Sequence, residues 1–346
     1  MSYPEAELSR YRGEVVAITG ASAGLGRAIA REFARHGAKI GLLARGRERL
    51  AETESEVTRL GGTAIAIPTD VADHAQVENA AREIEEKLGP IDVWVNNAMT
   101  TIFAQFTDIT PEEYRRATEV TYLGAVWGTM AALKRMLPRD RGSIVQVGSA
   151  LAYRSIPLQS PYCGAKHAIA GFTDSLRTEL VHRQSKVHLT MVQMPALNTP
   201  QFDWCRSHMP RNPQPVPPIY NPEGPAKAVY WAAHHRKREI AFGLATRAAI
   251  TGNKVAPGLL DLYLGKTGYE AQQTKTRTDV VRVDNLFEPV PGEFAAHGSF
   301  DQRSRDRTFW PLSRTALAVA GVVVFLALTG RGALAFSKGR RRSNSL

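Results

Sequence analysis

The stretch that decides the fold is residues 15–37, VVAITGASAGLGRAIAREFARHG. It opens with a short apolar run rich in β-branched residues, which is typical of a buried strand. Apolar residues at helical spacing follow and stop at Gly37. Between the two segments, Gly20, Gly24 and Gly26 leave no Cβ atom where the backbone has to turn. The stretch therefore predicts a strand, a tight turn and a helix in direct succession.

The same alternation of strand and helix continues along the chain. Further apolar runs that predict strands are KIGLLAR, TAIAIPTDV, IDVWVNNA, GSIVQVGS, KVHLTMVQMP and EIAFG. Segments with helical spacing lie between them, including one at about residues 160–182. Such alternation with short connections is the signature of a parallel sheet that is covered by helices on both faces. We therefore predict an α/β fold with a Rossmann-like, doubly wound parallel sheet of about seven strands.

The glycine-rich turn has the composition of a phosphate-binding loop. The helix that begins there has free N–H groups at its first turn, and these favour an anion. The motif gains specificity from its place between a first strand and a first helix. We predict that Gly20, Ser22, Gly24, Leu25 and Gly26 bind the phosphates of a dinucleotide cofactor. The alternative is a glycine-rich turn that binds no ligand.

The end of the second strand indicates which dinucleotide is bound. In dinucleotide folds an acidic residue here binds the ribose 2′-hydroxyl of NAD, whereas an arginine accommodates the 2′-phosphate of NADP. Arg45 occupies this place, and Arg47 and Arg49 follow closely. A guanidinium group can bind two phosphate oxygens at once. We predict NADP rather than NAD, with a solvated loop charge as the alternative role for Arg45.

The stretch SALAYRSIPLQSPYCGAKHA, residues 149–168, contains the candidate catalytic groups. Lys166 lies one helical turn after Tyr162, so both side chains share a helix face. A nearby cation favours the phenolate and lowers the pKa of a tyrosine from its usual value of about 10. Tyr153 has a proline four residues later, which favours a lining or packing role. Tyr162 and Lys166 are thus candidates for proton transfer, with an ordinary exposed pair as the alternative.

Together these motifs resemble the short-chain dehydrogenase/reductase family, in its single-domain branch. The resemblance covers about residues 13–200. The residues that carry it are the pattern TG-x3-G-x-G, Asp70-Val71 after the third strand, NNAM at 96–99, and Ser149, Tyr162 and Lys166 with a 13-residue step from Ser to Tyr. The resemblance implies hydride transfer between a nicotinamide cofactor and a carbonyl or alcohol substrate.

The resemblance also implies a role for individual residues. Tyr162 would be the acid/base, Lys166 would shift its pKa and bind the nicotinamide ribose, and Ser149 would donate to the substrate oxygen. The implied cofactor contacts are Gly20, Ser22, Gly24, Leu25, Gly26, Arg45, Asp70, Val71, Asn96, Ala98, Tyr162, Lys166 and Pro195.

Three positions depart from the family pattern. Thr121 stands where many members have a proton-relay asparagine, so it is the fourth catalytic candidate. Met99 stands where a glycine is usual and would reshape the nicotinamide pocket. Pro195-Ala196 replaces the usual Pro-Gly.

The chain changes character after Thr199. A proline-rich segment at about 199–225 predicts a substrate loop, and its Phe202, Trp204 and Met209 indicate a lipophilic substrate. The alternative is a solvated excursion. We assign residues 1–264 to the catalytic domain and 265–309 to an extension or linker that is partly disordered.

The C-terminal region predicts contact with a membrane. Residues 315–330 carry no charge, and as a helix they would span about 24 Å, short of a hydrocarbon core of about 30 Å. We predict a transmembrane or membrane-anchoring helix within 310–336 and a basic tail at 337–346, with the catalytic domain facing the cytoplasm. An in-plane anchor and a helix packed on a partner are the alternatives.

Charge and cysteine content exclude several other classes. The net charge is +11, but residues 299–346 hold nine Lys/Arg and two Asp/Glu, or 9 − 2 = +7. The remaining +4 and the lack of a known motif argue against nucleic-acid binding. Two cysteines cannot form a disulfide framework, and no spacing predicts a metal site. A membrane-tethered dinucleotide sensor or scaffold, an epimerase or dehydratase on the same fold, and a homo-oligomer remain open.

Overall fold

A computed structural model describes residues 11–278, 282–292 and 295–307. Its main feature is a sheet of seven parallel strands in the order β7-β6-β5-β4-β1-β2-β3. The strands are β1 (Val15–Thr19), β2 (Lys39–Ala44), β3 (Thr63–Pro68), β4 (Val93–Asn96), β5 (Ser143–Ser149), β6 (His188–Met194) and β7 (Glu239–Ala241). The predicted α/β fold with a seven-stranded parallel sheet is confirmed.

The strand order reverses between β1 and β4, which are neighbours in the middle of the sheet. Val16 of β1 pairs with Ile40 of β2 on one side and with Val93 of β4 on the other. In open α/β sheets, ligands bind outside the carboxyl ends of the strands at such a switch point. The loops that follow β1, β2, β3, β4 and β5 all leave the sheet at this edge.

Nine helices of more than one turn connect the strands and extend beyond them in the described part of the chain. They are α1 (Gly24–Arg35), α2 (Arg47–Arg59), α3 (His74–Leu88), α4 (Pro111–Thr118), α5 (Gly124–Met136), α6 (Ser160–His182), α7 (Glu223–His234), α8 (Leu244–Val255) and α9 (Pro257–Ala271). A π-helical turn, Glu119–Leu123, joins α4 to α5. The helices pack in groups: α1 contacts α7, and α3 contacts α5.

The core lies between the sheet and these helices. Every residue of β1, β4 and β5 is buried, as expected for central strands that are covered on both faces. Phe33 of α1 and Trp94 of β4 are fully buried. The apolar runs quoted above are continuous rather than alternating for this reason.

Short elements tie the proline-rich loop to later parts of the chain. Arg206–Ser207 pairs with Ile102–Phe103, and Arg211–Pro213 pairs with Gln273–Arg277. Ile219–Tyr220 pairs with both Ala196–Leu197 and Ser304–Arg305. The remaining short elements are the one-turn helix Gln201–Trp204 and the 3-10 turns Phe106–Asp108, Leu137–Arg139, Ala150–Ala152 and Asp301–Arg303.

The structure differs from the expectation of a linker at residues 265–309. Residues up to 307 belong to one compact unit with the sheet. Within them Leu286 and Ala296 are fully buried, and Phe300 is nearly so. Their apolar residues are few and irregularly spaced, so the sequence shows no helical or strand period that would reveal the packing.

The predicted membrane segment at 310–336 and the basic tail at 337–346 lie outside the described residues. Among the helices that the structure describes, none has both the length and the apolar character needed to cross a bilayer.

Candidate active site

A cavity of about 440 Å³ lies at the carboxyl edge of the sheet, within the usual size range of small-molecule sites. It extends from the glycine-rich turn to Ser149, Tyr162 and Lys166. Most of the predicted site residues line it, namely Gly20, Ser22, Gly24, Leu25, Gly26, Arg45, Asp70, Val71, Ala98, Ser149, Tyr162, Lys166 and Pro195. The structure therefore brings these residues together around one space.

The glycine-rich turn requires glycine for geometric reasons. Gly20 and Gly24 adopt left-handed backbone conformations, with φ of +68° and +55°. A Cβ atom on Gly26 would lie 2.0 Å from the main-chain oxygen of Gly20. The turn is therefore closed tightly against the start of α1, and its three glycines place no side chain between the backbone and the cavity.

Asn97 links the glycine-rich turn to β4, a role that the sequence did not predict. Its side chain donates to the main-chain oxygens of Thr19, at 2.9 Å, and Gly20, at 3.3 Å. The predicted Asn96 is not among the described residues that line the cavity; its amide binds Trp94 and Thr129 in the interior. Successive side chains on a strand point to opposite faces, so the cavity-side asparagine is the next one.

The end of β2 carries an arginine that is already held in place. Arg45 donates 2.6 Å to the main-chain oxygen of Phe287 and also donates to that of Asn285. Burial lowers the pKa of Arg45 from its ordinary value. Arg116, which no motif predicted, donates 2.6 Å to the Asp70 carboxylate. Two positive groups therefore stand beside the carboxylate at this end of the cavity.

The three catalytic candidates meet at the other end. Ser149 is the last residue of β5, and Tyr162 and Lys166 lie in the first two turns of α6. The Lys166 ammonium donates 2.7 Å to the main-chain oxygen of Val147 and lies 5.5 Å from the centre of the Tyr162 ring. This contact fixes α6 against β5, so the serine and the tyrosine face the same part of the cavity.

Burial controls the protonation of these groups in the protein alone. It raises the pKa of Tyr162 above its usual value, against a smaller lowering by a hydrogen bond with Ser149. It also lowers the pKa of Lys166 to about 8. The expectation that Lys166 lowers the tyrosine pKa differs from this result, because desolvation favours the neutral form of both groups. Tyr162 thus keeps its proton, as a proton donor requires.

The hydroxyl group of Thr121 forms hydrogen bonds with the main chain. The hydroxyl donates 2.9 Å to the oxygen of Thr100 and accepts 3.0 Å from the N–H of the same residue. Thr121 is fully buried and is not among the described residues that line the cavity. Met99, which precedes Thr100, does line it. The threonine side chain therefore positions the segment that follows β4.

The proline-rich loop contributes another part of the cavity wall, and its first residues, Thr199 and Pro200, lie against Gly24 of the glycine-rich turn. Phe202 and Trp204 line the cavity, whereas Met209 is not among the described lining residues. Tyr153 does not line it either: its hydroxyl donates 2.8 Å to Glu239 and ties the loop after β5 to β7. The interpretation of Tyr153 as a packing residue fits this arrangement.

Several lining residues have no signal in the sequence. They are Gln159 and Gln214, the α8 residues Ala245, Thr246 and Ala249, and Asn285 and Pro289 from the C-terminal extension. Gln159 donates 2.8 Å to Gln272, which joins the active-site loop to the end of α9. These residues reach the cavity through tertiary contacts, and no local pattern marks them.

The residues present fit a nicotinamide dinucleotide. The turn is closed at Gly20 and Gly26 by contacts that a Cβ would break. The first turn of α1 and the guanidinium group of Arg45 favour anionic groups at one end, while Tyr162 and Lys166 lie at the other. Arg116 is not among the described residues that line the cavity, and it neutralises the Asp70 carboxylate beside it.

Comparison with known proteins identifies the family of the chain. A family model described as short chain dehydrogenase matches residues 14–209. The uncharacterized oxidoreductase YxnA of Bacillus subtilis (strain 168) is 31% identical over 328 residues, which is 93% of this chain and 92% of that protein.

Two relatives with named substrates match over shorter stretches. The 3-dehydrosphinganine reductase of Danio rerio is 32% identical over 56% of this chain and 59% of the relative. The 17-beta-hydroxysteroid dehydrogenase 13 of Homo sapiens is 35% identical over 49% of this chain and 56% of the relative. These two matches therefore extend over little more than half of each relative.

Proposed function

The chain belongs to the short-chain dehydrogenase/reductase family, and on this premise we propose that it is an NADP-dependent oxidoreductase for a lipophilic carbonyl or alcohol substrate. The observation that carries the proposal is the convergence of Ser149, Tyr162 and Lys166 at one end of a cavity that begins at the glycine-rich turn.

Each of the three residues has a distinct task in this proposal. The bound dinucleotide supplies or accepts the hydride. Ser149 donates a hydrogen bond that orients the substrate oxygen, and Tyr162 gives that oxygen its proton in reduction. Lys166 uses one N–H for Val147 and has the others for the nicotinamide ribose. Since Tyr162 is neutral in the protein alone, reduction begins with the proton donor loaded.

The choice of NADP rests on Arg45. Its position at the end of β2 suits the 2′-phosphate, and residues 39–46 contain no carboxylate that could take a 2′-hydroxyl instead. The nearby Asp70 lies after β3 and pairs with Arg116. Asp70 and Val71 would contact the adenine, and the glycine-rich turn would hold the diphosphate. Asn97, rather than Asn96, supports that turn from β4.

The lipophilic substrate is supported by the lining of the cavity. Leu151, Ile156 and Phe202 give the cavity an apolar lining, and Met99 lines it where a glycine is usual in the family. Trp204 adds apolar surface at the other end, where the centre of its ring lies 5.2 Å from the guanidinium group of Arg49. The names of two relatives point the same way, since one reduces 3-dehydrosphinganine and one is a hydroxysteroid dehydrogenase. A membrane-anchoring segment at 310–336, with the catalytic domain on the cytoplasmic side, is part of the proposal.

The proposal is tested by NADPH oxidation with a panel of long-chain and steroid ketones. We expect Tyr162→Phe to lose activity by roughly 10²–10⁴-fold, the usual contribution of a positioned proton donor. Tyr153→Phe is the matched control and keeps its activity, because that hydroxyl binds Glu239 outside the cavity. Equal rates in wild type and Tyr162→Phe would contradict the proposal. Substrate turnover without NADPH consumption would favour an epimerase or dehydratase.

A further inference from the structure

A segment of the C-terminal extension, residues 284–292, lies along the end of the cavity that contains Arg45; we call it the strap. Arginines from three elements hold it by its main-chain oxygens. Arg45, after β2, donates 2.6 Å to Phe287, and Arg116, in α4, donates 3.1 Å to Leu286. The other contacts of this kind are Arg45 to Asn285 and Leu286, and Arg49 of α2 to Val290 and Gly292.

The strap is also anchored by its own side chains. Leu286 is fully buried in a small apolar cluster with Ile102, Ala104 and Ala117. The Asn285 side chain accepts a hydrogen bond of 3.3 Å from Thr100. These contacts therefore fix the position of the strap on the domain.

The strap forms a wall of the cavity. Asn285 and Pro289 line the same space as Arg45, Arg49 and Asp70. Room for a ligand therefore remains between the strap and the carboxyl ends of β2 and β3.

Arg45 can hold the strap and an anion at the same time. A guanidinium group has five N–H donors, and the strap oxygens bound to Arg45 are those of Asn285, Leu286 and Phe287. At least two donors remain. Main-chain oxygens carry no net charge, so they orient the guanidinium group without neutralising it, although the Glu288 carboxylate of the strap also acts on its charge. The nearby Asp70 carboxylate is paired with Arg116.

We propose that the strap is part of the nucleotide site and holds Arg45 ready for the phosphate on the adenosine ribose. The inference rests on the proposed use of NADP. An arginine that is fixed before the ligand arrives loses less conformational freedom on binding. Because linkage is reciprocal, a phosphorylated dinucleotide that binds Arg45 also stabilises the strap. The strap therefore raises the affinity for NADPH more than that for NADH.

The test compares dissociation constants for NADPH and NADH by calorimetry in wild type, Leu286→Ala and Val283→Ala. Leu286→Ala removes the apolar anchor, whereas Val283 is 59% exposed and serves as the control. We expect Leu286→Ala to weaken NADPH binding by roughly tenfold, the size of one charge-assisted hydrogen bond, and NADH binding by clearly less. Val283→Ala should match wild type. Equal weakening of both nucleotides, or of neither, overturns the inference.

Two further measurements test the same inference, one without a substitution and one with a milder variant. Hydrogen exchange of residues 282–292 should slow more with NADPH than with NADH in wild type, and equal slowing counts against the inference. If Leu286→Ala does not fold, Thr100→Val removes only the contact with Asn285 and should shift the NADPH/NADH ratio in the same direction by a few-fold; an unchanged ratio overturns the inference. If wild type binds no NADPH, the proposed function fails; if it binds NADPH and the variants bind equally well, only the role of the strap fails.

Discussion

The ammonium group of Lys166 donates a 2.7 Å hydrogen bond to the main-chain oxygen of Val147, two residues before the end of β5. The contact joins the helix that carries Tyr162 to the strand that carries Ser149. It also places a lysine in a nearly closed environment, since Lys166 is 2% exposed. Burial there lowers the pKa of the lysine to about 8.

This pKa predicts a specific dependence of stability on pH. Between pH 8 and 10.5 the unfolded chain holds a proton on Lys166 that the folded protein releases, so this residue makes folding more favourable as the pH rises. A lysine shifted from 10.5 to about 8 destabilises the fold by roughly 3 kcal/mol at pH 7. We expect Lys166→Met to gain stability relative to wild type at pH 7, by less than this because Val147 loses its donor.

The measurement is chemical denaturation of both proteins at pH 7 and pH 10 without nucleotide. The advantage of Lys166→Met should shrink at pH 10, because the folded lysine is neutral there and only a minor part of the cost, that of removing the proton from the unfolded chain, remains. A difference between the two proteins that stays constant with pH would contradict the assigned pKa.

In the glycine-rich turn, we expect that adding a single methyl group at Gly26 disturbs both the fold and nucleotide binding. Gly26→Ala places a Cβ 2.0 Å from the Gly20 oxygen, so the turn has to open. We expect a loss of several-fold or more in NADPH affinity and a destabilisation of about 1–3 kcal/mol. Gly171→Ala in α6 is the control: its Cβ meets no atom within 4 Å, so stability should rise by up to about 1 kcal/mol. Calorimetry measures the NADPH affinity of the two variants, and thermal unfolding measures their stability.

Arg45 predicts the preference between the two nicotinamide cofactors. Arg45→Gln removes the charge that would pair with the 2′-phosphate and keeps donors for the strap. We expect NADPH affinity to fall about 10–100-fold, while NADH affinity changes little. Titration of each nucleotide into both proteins gives the ratio. A parallel loss for both would mean that Arg45 supports the site without selecting the phosphate.

At Thr121, we expect a substitution to change the stability of the segment after β4 and not the chemical step. Thr121→Val removes the hydroxyl that both donates to and accepts from Thr100, at a cost of about 1–3 kcal/mol of unfolding free energy. Thr121→Ser keeps both hydrogen bonds and should stay within about 1 kcal/mol of wild type. A catalytic role for the hydroxyl would instead show as a loss of kcat in Thr121→Val with unchanged stability.

The sheet could be predicted from the sequence because its signals are local. Each strand is a short apolar run, each helix has its own period, and the glycine-rich turn after β1 marks the switch point. The family resemblance named Ser149, Tyr162 and Lys166 together, and the structure brings these three residues to one cavity; their catalytic roles stay a prediction.

The strap could not be predicted, for a physical reason. Its contacts run from Arg45 and Arg49 to main-chain oxygens about 240 positions away, and every residue type carries such an oxygen. The sequence analysis named Asn96 as a cavity residue, whereas the structure places Asn97 there, and this difference has another origin. Sequence gives the position of a strand end to within a residue or two, but one residue decides which face a side chain points to.

The central claim, hydride transfer between NADPH and a carbonyl carbon with Tyr162 as proton donor, is tested most directly by following the hydride itself. NADPH that carries deuterium at the transferable position of the nicotinamide is incubated with a ketone from the panel that the wild-type protein consumes. We predict one deuterium per product alcohol, on the carbon that bears the new hydroxyl, at a rate that falls at least about a hundredfold in Tyr162→Phe. Product without deuterium, or an undiminished rate in Tyr162→Phe, would contradict the account.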